Sequence, residues 1–272
     1  MNYPNQYCFQ TERASRLCEL IRSNLYLAIA IIMTANLGLS VISAIIAREL
    51  ASSIIGLALP VLTLVGVWLL RSGAMKGFRN SPFGFLKVRT ISMIVILIIL
   101  MVSMLIVMAF SSTIIDVFNA VAAGEDVTIQ GQQVPIDSNS REQIANFMDV
   151  INTNYPDALG IIAEYGRTII IAVCAAAIAV CVLALIAAFK ANGVINKMKN
   201  TILFGYDEPI KTGYLTAMLY VFAGMMFIFT VVSFFTVRIS YYMIINQISN
   251  LLEIALMVTA ALFYGKVHKI ME

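Results

Sequence analysis

Ile91 to Phe110 reads ISMIVILIILMVSMLIVMAF, twenty residues without a charge, a glycine or a proline. The uncharged run around it extends from Thr90 to Ile115, 26 residues. A helix rises about 1.5 Å per residue, so about 20 residues cross the ~30 Å hydrocarbon layer of a bilayer. A helix in water needs a polar face, and this segment offers only scattered serines. It reads as a membrane span, and it leads into the single large hydrophilic loop of the chain.

The rest of the 272 residues repeats the pattern. The chain is 60% hydrophobic and only 12% charged, against about 25% charged in soluble domains. One span cannot account for that deficit, so the protein is expected to be a multi-pass membrane protein. Further uncharged runs lie at Ser23–Ala47 and Leu50–Leu70, the second containing Pro60 and ending near Trp68. Thr168–Phe189, Tyr214–Val237 and Ile245–Tyr264 complete six. The expected fold class is an all-α membrane protein, a six-transmembrane-helix bundle with a small extracytoplasmic cap between helices 3 and 4. The chain divides into an amphipathic segment (1–24), helices 1–3 (25–110), the cap loop (111–167), helices 4–6 (168–264) and a tail (265–272).

Within the N-terminal segment, Ala14, Leu17, Cys18 and Ile21 recur at helical spacing. Two arrangements fit: a helix lying on the membrane surface with Arg13 and Arg16 toward water, or the first turns of a long helix 1. The first apolar run is too long for a signal-peptide core and lacks a small-x-small cleavage site, so it is expected to be retained.

Six spans place both termini on one side. Arg13, Arg16, Arg22, Arg71, Lys76, Arg79, Lys87, Arg89, Lys190, Lys197, Lys199, Lys211, Lys266 and Lys269 fall on that side, fourteen of the 18 basic residues. Arg48, Arg141, Arg167 and Arg238 fall on the other. The positive-inside rule makes the termini cytoplasmic and the compartment the plasma membrane. The 111–167 loop carries eight acidic residues, among them Asp116, Glu125 and Glu164. Its first part should continue helix 3 to about Ala123. Val127–Val134 alternates around Gly131, as in a hairpin, and Ser140 with Gln143 suggests the start of a short helix. A second helix should begin near Pro156 and run into span 4. At about 57 residues without cysteines the loop is a cap rather than an independent domain.

Ionisable groups inside spans are costly and are functional candidates. Glu253 is one, about 12 Å below the outer surface if span 6 starts near Ile245. Asn246, Asn250 and Glu253 share a helical face, Ser249 flanks it, and Arg238 is the nearest counter-charge. Asn36, Ser40 and Ser43 form a second stripe on span 1. One reading is a polar site for a cation or small polar solute. The other is interhelical packing, to which polar side chains contribute about 0.6 kcal/mol on average. The alanines of span 4 with Cys174 and Cys181 suggest a central, closely packed helix, and Met101, Met104 and Met108 suggest gap-filling on span 3.

Several chemistries have no signature. There is no G-x-x-x-x-G-K-S/T phosphate loop, no H-E-x-x-H and no intramembrane aspartate pair. The cysteines Cys8, Cys18, Cys174 and Cys181 form no metal-binding spacing and no disulfide framework. No catalytic residue, cofactor or metal is expected, and the protein is not expected to be an enzyme. The basic cytoplasmic residues suit insertion and anionic lipids, so the partner is the lipid bilayer and not nucleic acid.

LPVLTLVGVWLLRSGA (Leu59 to Ala74) and KTGYLTAMLYVFAGMMFIFTVVS (Lys211 to Ser233) resemble segments of small multi-pass membrane proteins of low-GC Gram-positive bacteria. The resemblance lies in the layout of hairpins, outer loop and basic helix across the transmembrane part. That family has no established activity, so the resemblance implies a bacterial cytoplasmic membrane and transfers no site residues. Two functions are carried forward. One is a transport- or channel-type protein, or the membrane subunit of a transport complex, for a small solute or ion. The other is a non-transporting scaffold or sensor whose cap binds another membrane or extracytoplasmic protein. The orientation is tested by fusing alkaline phosphatase within 111–167 and, separately, after Glu272. The loop fusion should be active and the C-terminal fusion inactive; the reverse pattern inverts the topology.

Overall fold

The computed structural model describes residues 11–46, 50–77, 81–122, 127–129, 132–134, 142–143, 146, 153, 158–206, 208–236 and 241–272. The helices are α1 (Glu12–Arg22), α2 (Asn24–Ile46), α3 (Leu50–Lys76), α4 (Ser81–Ala109), α5 (Ser111–Ala122), α6 (Ala158–Phe204), α7 (Gly213–Thr236) and α8 (Tyr241–Met271). Six of them, α2, α3, α4, α6, α7 and α8, are long and apolar enough to cross a membrane. A chain with six such helices is a multi-pass membrane protein. Two compact units are present, one formed by 1–95 with 184–272 and one by 96–183.

In the first unit the core gathers where helix ends meet α1. Thr11 caps α1 by accepting the Ala14 N–H at 3.3 Å, and Glu12 pairs with Arg16 one turn on. At the other end the Ser23 hydroxyl donates to the Leu20 carbonyl. The predicted apolar stripe is real: Ala14, Leu17 and Ile21 have no exposed surface, and Cys18 is buried. The helix ends at Arg22 instead of running into span 1, and its apolar face packs on α2, α3 and α8. Leu17 and Ile21 join Leu70, Ala74, Phe83, Met198, Ile202, Val267 and Met271 in one cluster. These groups lie at helix ends beyond the most apolar stretches, where water is the alternative environment and burial is strongly favourable.

Polar exchange ties α1 to α3. The Arg71 guanidinium, in the last turns of α3, donates to the carbonyls of Ile21 at 3.3 Å and Ser23 at 3.0 Å. Arg22 donates in return to the Ala74 carbonyl. The final carbonyls of a helix lack intrahelical partners and carry the negative end of its dipole, so a cation belongs there. Deeper in, the Tyr26 hydroxyl donates to the Val67 carbonyl at 3.2 Å, and its ring meets Phe263 at 5.4 Å.

Gly66 marks a close approach of α3 to α4. A Cβ built on it would lie 2.8 Å from the Phe85 Cβ. Two glycines end helices with positive φ, Gly77 at 114° and Gly205 at 71°. After Gly205 the connection to α7 is pinned. Lys197 donates to the Pro209 carbonyl at 3.0 Å and faces Glu208 at 3.7 Å, while the fully buried Thr212 donates to the Tyr264 carbonyl at 2.7 Å.

The single helix α6 is 47 residues long, about 70 Å, so it extends well beyond any bilayer core. Its C-terminal part buries Ile195, Met198 and Ile202, the face expected from spacing. The close packing expected of its alanines is confined to part of the helix surface. Cys174, Cys181, Ala184 and Ala188 are buried along one stripe, whereas Ala172, Ala175, Ala176 and Ala179 are exposed. Small side chains permit close approach but do not compel it.

In the second unit, α5 follows α4 after a turn at Phe110 and reaches Ala122, close to the expected limit. Strands β1 (Val127–Ile129) and β2 (Gln132–Val134) pair antiparallel with Val127 opposite Val134, the hairpin that the alternation suggested. Along α4, Met101, Met104 and Met108 are half-buried while Ile99, Leu105 and Ile106 are exposed, so the methionine stripe is the packed side.

Cys174 and Cys181 are free thiols, but Cys18 is disulfide-bonded, which its spacing from other cysteines did not suggest. Cys8 lies outside the described residues. The tight α3–α4 contact makes a direct prediction. Gly66→Val should lower the unfolding free energy by roughly 1–3 kcal/mol, the usual cost of overpacking. Thermal unfolding in detergent reads it, and an unchanged midpoint would contradict the contact.

Candidate functional site

The two stripes singled out in spans 1 and 6 meet. α2 supplies Asn36 and α8 supplies Ser249 and Glu253, one turn apart on the same face. The Ser249 hydroxyl donates to Asn36 Oδ1 at 2.7 Å. Asn36 Nδ2 donates in turn to Glu253 Oε1 at 3.4 Å. The amide thus acts as acceptor toward the hydroxyl and donor toward the carboxylate, an orientation in which both of its ends are used. Asn36, Ser249 and Glu253 are all half-buried. α2 and α8 pack against one another, which brings together residues 217 positions apart.

The apolar part of α8 begins at Met243, ten residues before Glu253. That is about 15 Å along the axis, near the middle of a ~30 Å core. Asn36 likewise sits near the centre of the 23-residue α2.

The remaining candidates divide. Ser40 donates to the Asn36 backbone carbonyl at 3.0 Å, so its hydroxyl is used within its own helix. Asn250 is half-buried and Asn246 exposed, and neither is hydrogen-bonded to Asn36. Ser249, expected only to flank the site, takes the place that the spacing assigned to Asn250. Arg238 lies outside the described residues. Among the described residues Glu253 forms no ion pair, and no cluster of three His, Cys, Asp or Glu residues could hold a metal ion.

A second polar contact joins α7 to α8 and was not anticipated. Gln247 Nε2 donates to the Ser233 hydroxyl at 2.7 Å, leaving Gln247 Oε1 buried without a partner among the described residues. Its only signal in the sequence was one glutamine in an apolar run.

Two cavities occur in the same unit. One, of about 120 Å³, lies among Tyr26, Val67, Phe83 and Phe263. The other, of about 360 Å³, is lined by Met33, Leu256 and Met257 at one end and Arg89 elsewhere. Neither is lined by Asn36 or Glu253. Met33 is three residues from Asn36, and Leu256 three from Glu253, so the larger cavity comes within one helical turn of the polar contact.

No family model matches the chain, and no curated protein or solved structure is similar to it.

The two polar contacts predict opposite responses. Ser249→Ala removes a satisfied bond and should cost about 0.6 kcal/mol, and at most ~1.7. Gln247→Leu removes an unpartnered buried oxygen together with the 2.7 Å bond to Ser233, so the two effects offset and stability should be unchanged or raised. Unfolding of both variants in the same lipid distinguishes them; equal losses would contradict the assignment.

Proposed function

We propose that this is a transport- or channel-type protein, or the membrane subunit of a transport complex, acting on a small cation or protonated polar solute. The reading rests on one observation: a carboxylate, Glu253, near the middle of an apolar helix, held by an uncharged amide and forming no ion pair among the described residues. A lone carboxylate at that depth is costly, and a cation is what relieves the cost. The oxygens of Glu253, Asn36 and Ser249 are hard donors of the kind that replace the water around a small cation. The proposed setting is a plasma membrane with both termini cytoplasmic, in keeping with the resemblance to Gram-positive membrane proteins. Fourteen cations support that orientation. The disulfide at Cys18 argues the other way, since such bonds favour oxidising compartments, but one bond weighs less than the charge distribution.

A second reading is supported by the closure of the contact. Asn36, Ser249 and Glu253 satisfy one another, and both cavities described above are lined mainly by apolar side chains. Those features suit a scaffold or sensor whose outer loop binds another protein.

Glu253→Gln separates the two readings, because it keeps the shape and the hydrogen bond but removes the charge. In proteoliposomes, cation uptake should fall at least tenfold while the unfolding midpoint stays within a few degrees. Asn36→Cys and Glu253→Cys should both react with a small polar thiol reagent. Unchanged uptake in Glu253→Gln, or no uptake by the parent protein for any small cation, favours the scaffold.

A further inference from the structure

We propose that the 360 Å³ cavity of the first unit is a site for one acyl chain of an anionic phospholipid, with the Arg89 guanidinium binding the lipid phosphate. This site is separate from the Glu253 contact and does not depend on its function.

The lining supplies the first argument. Ile29 and Met33 of α2, Ala187 and Ala191 of α6, and Met218 and Phe222 of α7 form an apolar surface between helices. Arg89 is the one charged residue in that lining. The hydroxyl of Thr90 is already given to the Leu86 carbonyl at 2.9 Å, so beside the phenol of Tyr264 the polar chemistry of the cavity is a single cation. An apolar groove with a cation at one point matches an amphiphile with an anionic head.

Depth supplies the second argument. Arg89 is the last charge before the uncharged run that starts at Thr90. It therefore stands at the level where headgroup gives way to hydrocarbon. From there the cavity leads to Met33, Leu256 and Met257, one turn short of mid-membrane. A lipid molecule at that position has its phosphate and its chain in the same register.

Four other basic residues are already engaged, which supplies the third. Arg16 pairs with Glu12, Lys197 with Glu208, and Arg22 and Arg71 with backbone carbonyls. Among the described residues Arg89 pairs with no carboxylate, and it is exposed. A snorkelling arginine needs only water, but this one lines a cavity.

The test uses tryptophan quenching by brominated lipid. The chain has one tryptophan, so Trp68→Phe gives a dark background. Phe222→Trp places a reporter in the cavity, and Phe229→Trp places a control on the lipid-facing side of α7, where Phe229 is 69% exposed. Both are reconstituted in phosphatidylcholine vesicles containing brominated phosphatidylglycerol, and in the same vesicles with the bromine on phosphatidylcholine. The cavity reporter should show a preference of roughly fivefold for the anionic lipid, the factor for one cation near the surface, and the control should show none. Arg89→Gln should abolish the preference and Arg89→Lys should retain it. Ala187→Phe, which fills the groove without touching the charge, should also abolish it. Equal quenching at the two reporters, or a preference that survives Arg89→Gln, overturns the site. If the double-substituted reporters do not fold, native mass spectrometry of the unmodified protein decides. One retained phosphatidylglycerol, lost in Arg89→Gln, supports the site, and none retained refutes it.

Discussion

Two arginines exchanged between two helix ends set the base of this protein. Arg71 caps the last carbonyls of α1, and Arg22 reaches the Ala74 carbonyl near the end of α3. The exchange turns α1 into a fixed element whose apolar face closes the core around Ile202, Val267 and Met271. Helices in a bilayer gain little from apolar contact with one another, because lipid is an equally apolar alternative. At the base, water supplies the missing drive. The geometry of α2, α3 and α8 higher in the membrane follows from how they are gathered there, including the α2–α8 contact that brings Asn36 to Glu253.

Within the bilayer the stabilising terms are few and specific. Tyr26 donates to Val67 and Gly66 admits Phe85, each joining α3 to a neighbour, while Trp68 Nε1 donates to Thr34 at 3.2 Å. Most polar groups in the spans return to their own backbone, as do Ser40, Thr63, Thr90, Ser103 and Thr259. That habit makes the exceptions informative. Among the described residues, the side-chain to side-chain hydrogen bonds between spanning helices join Asn36 with Ser249 and Glu253, Gln247 with Ser233, and Trp68 with Thr34, and a carboxylate enters only the first.

Much of this was readable in the chain, and the reasons for the gaps are physical. Spans are legible because bilayer thickness imposes a length and the absence of water imposes a composition. Asn36 and Glu253 were legible because polar residues in spans are rare. Their meeting was legible only as one alternative, a path lined by spans 1 and 6, since nothing in either helix specifies which neighbour it packs against. Asn250 was chosen over Ser249 because a spacing argument ranks polarity, while the structure selects the side chain whose direction suits α2. Arg22 and Arg71 were legible only as topology signals, because a cap on another helix leaves no periodic trace. The alanines of α6 were a partial guide for a related reason: composition permits close packing without choosing a face, and the stripe through Cys174 and Cys181 is the buried one.

The central claim is that the carboxylate of α8 is held at mid-membrane by the amide of α2. A double-mutant cycle in bicelles measures this coupling directly, using Asn36→Ala, Glu253→Gln and the combination. The account predicts an interaction energy of about 0.6 kcal/mol or more, the range found for polar contacts between membrane helices. Strictly additive effects would mean that the two side chains do not meet.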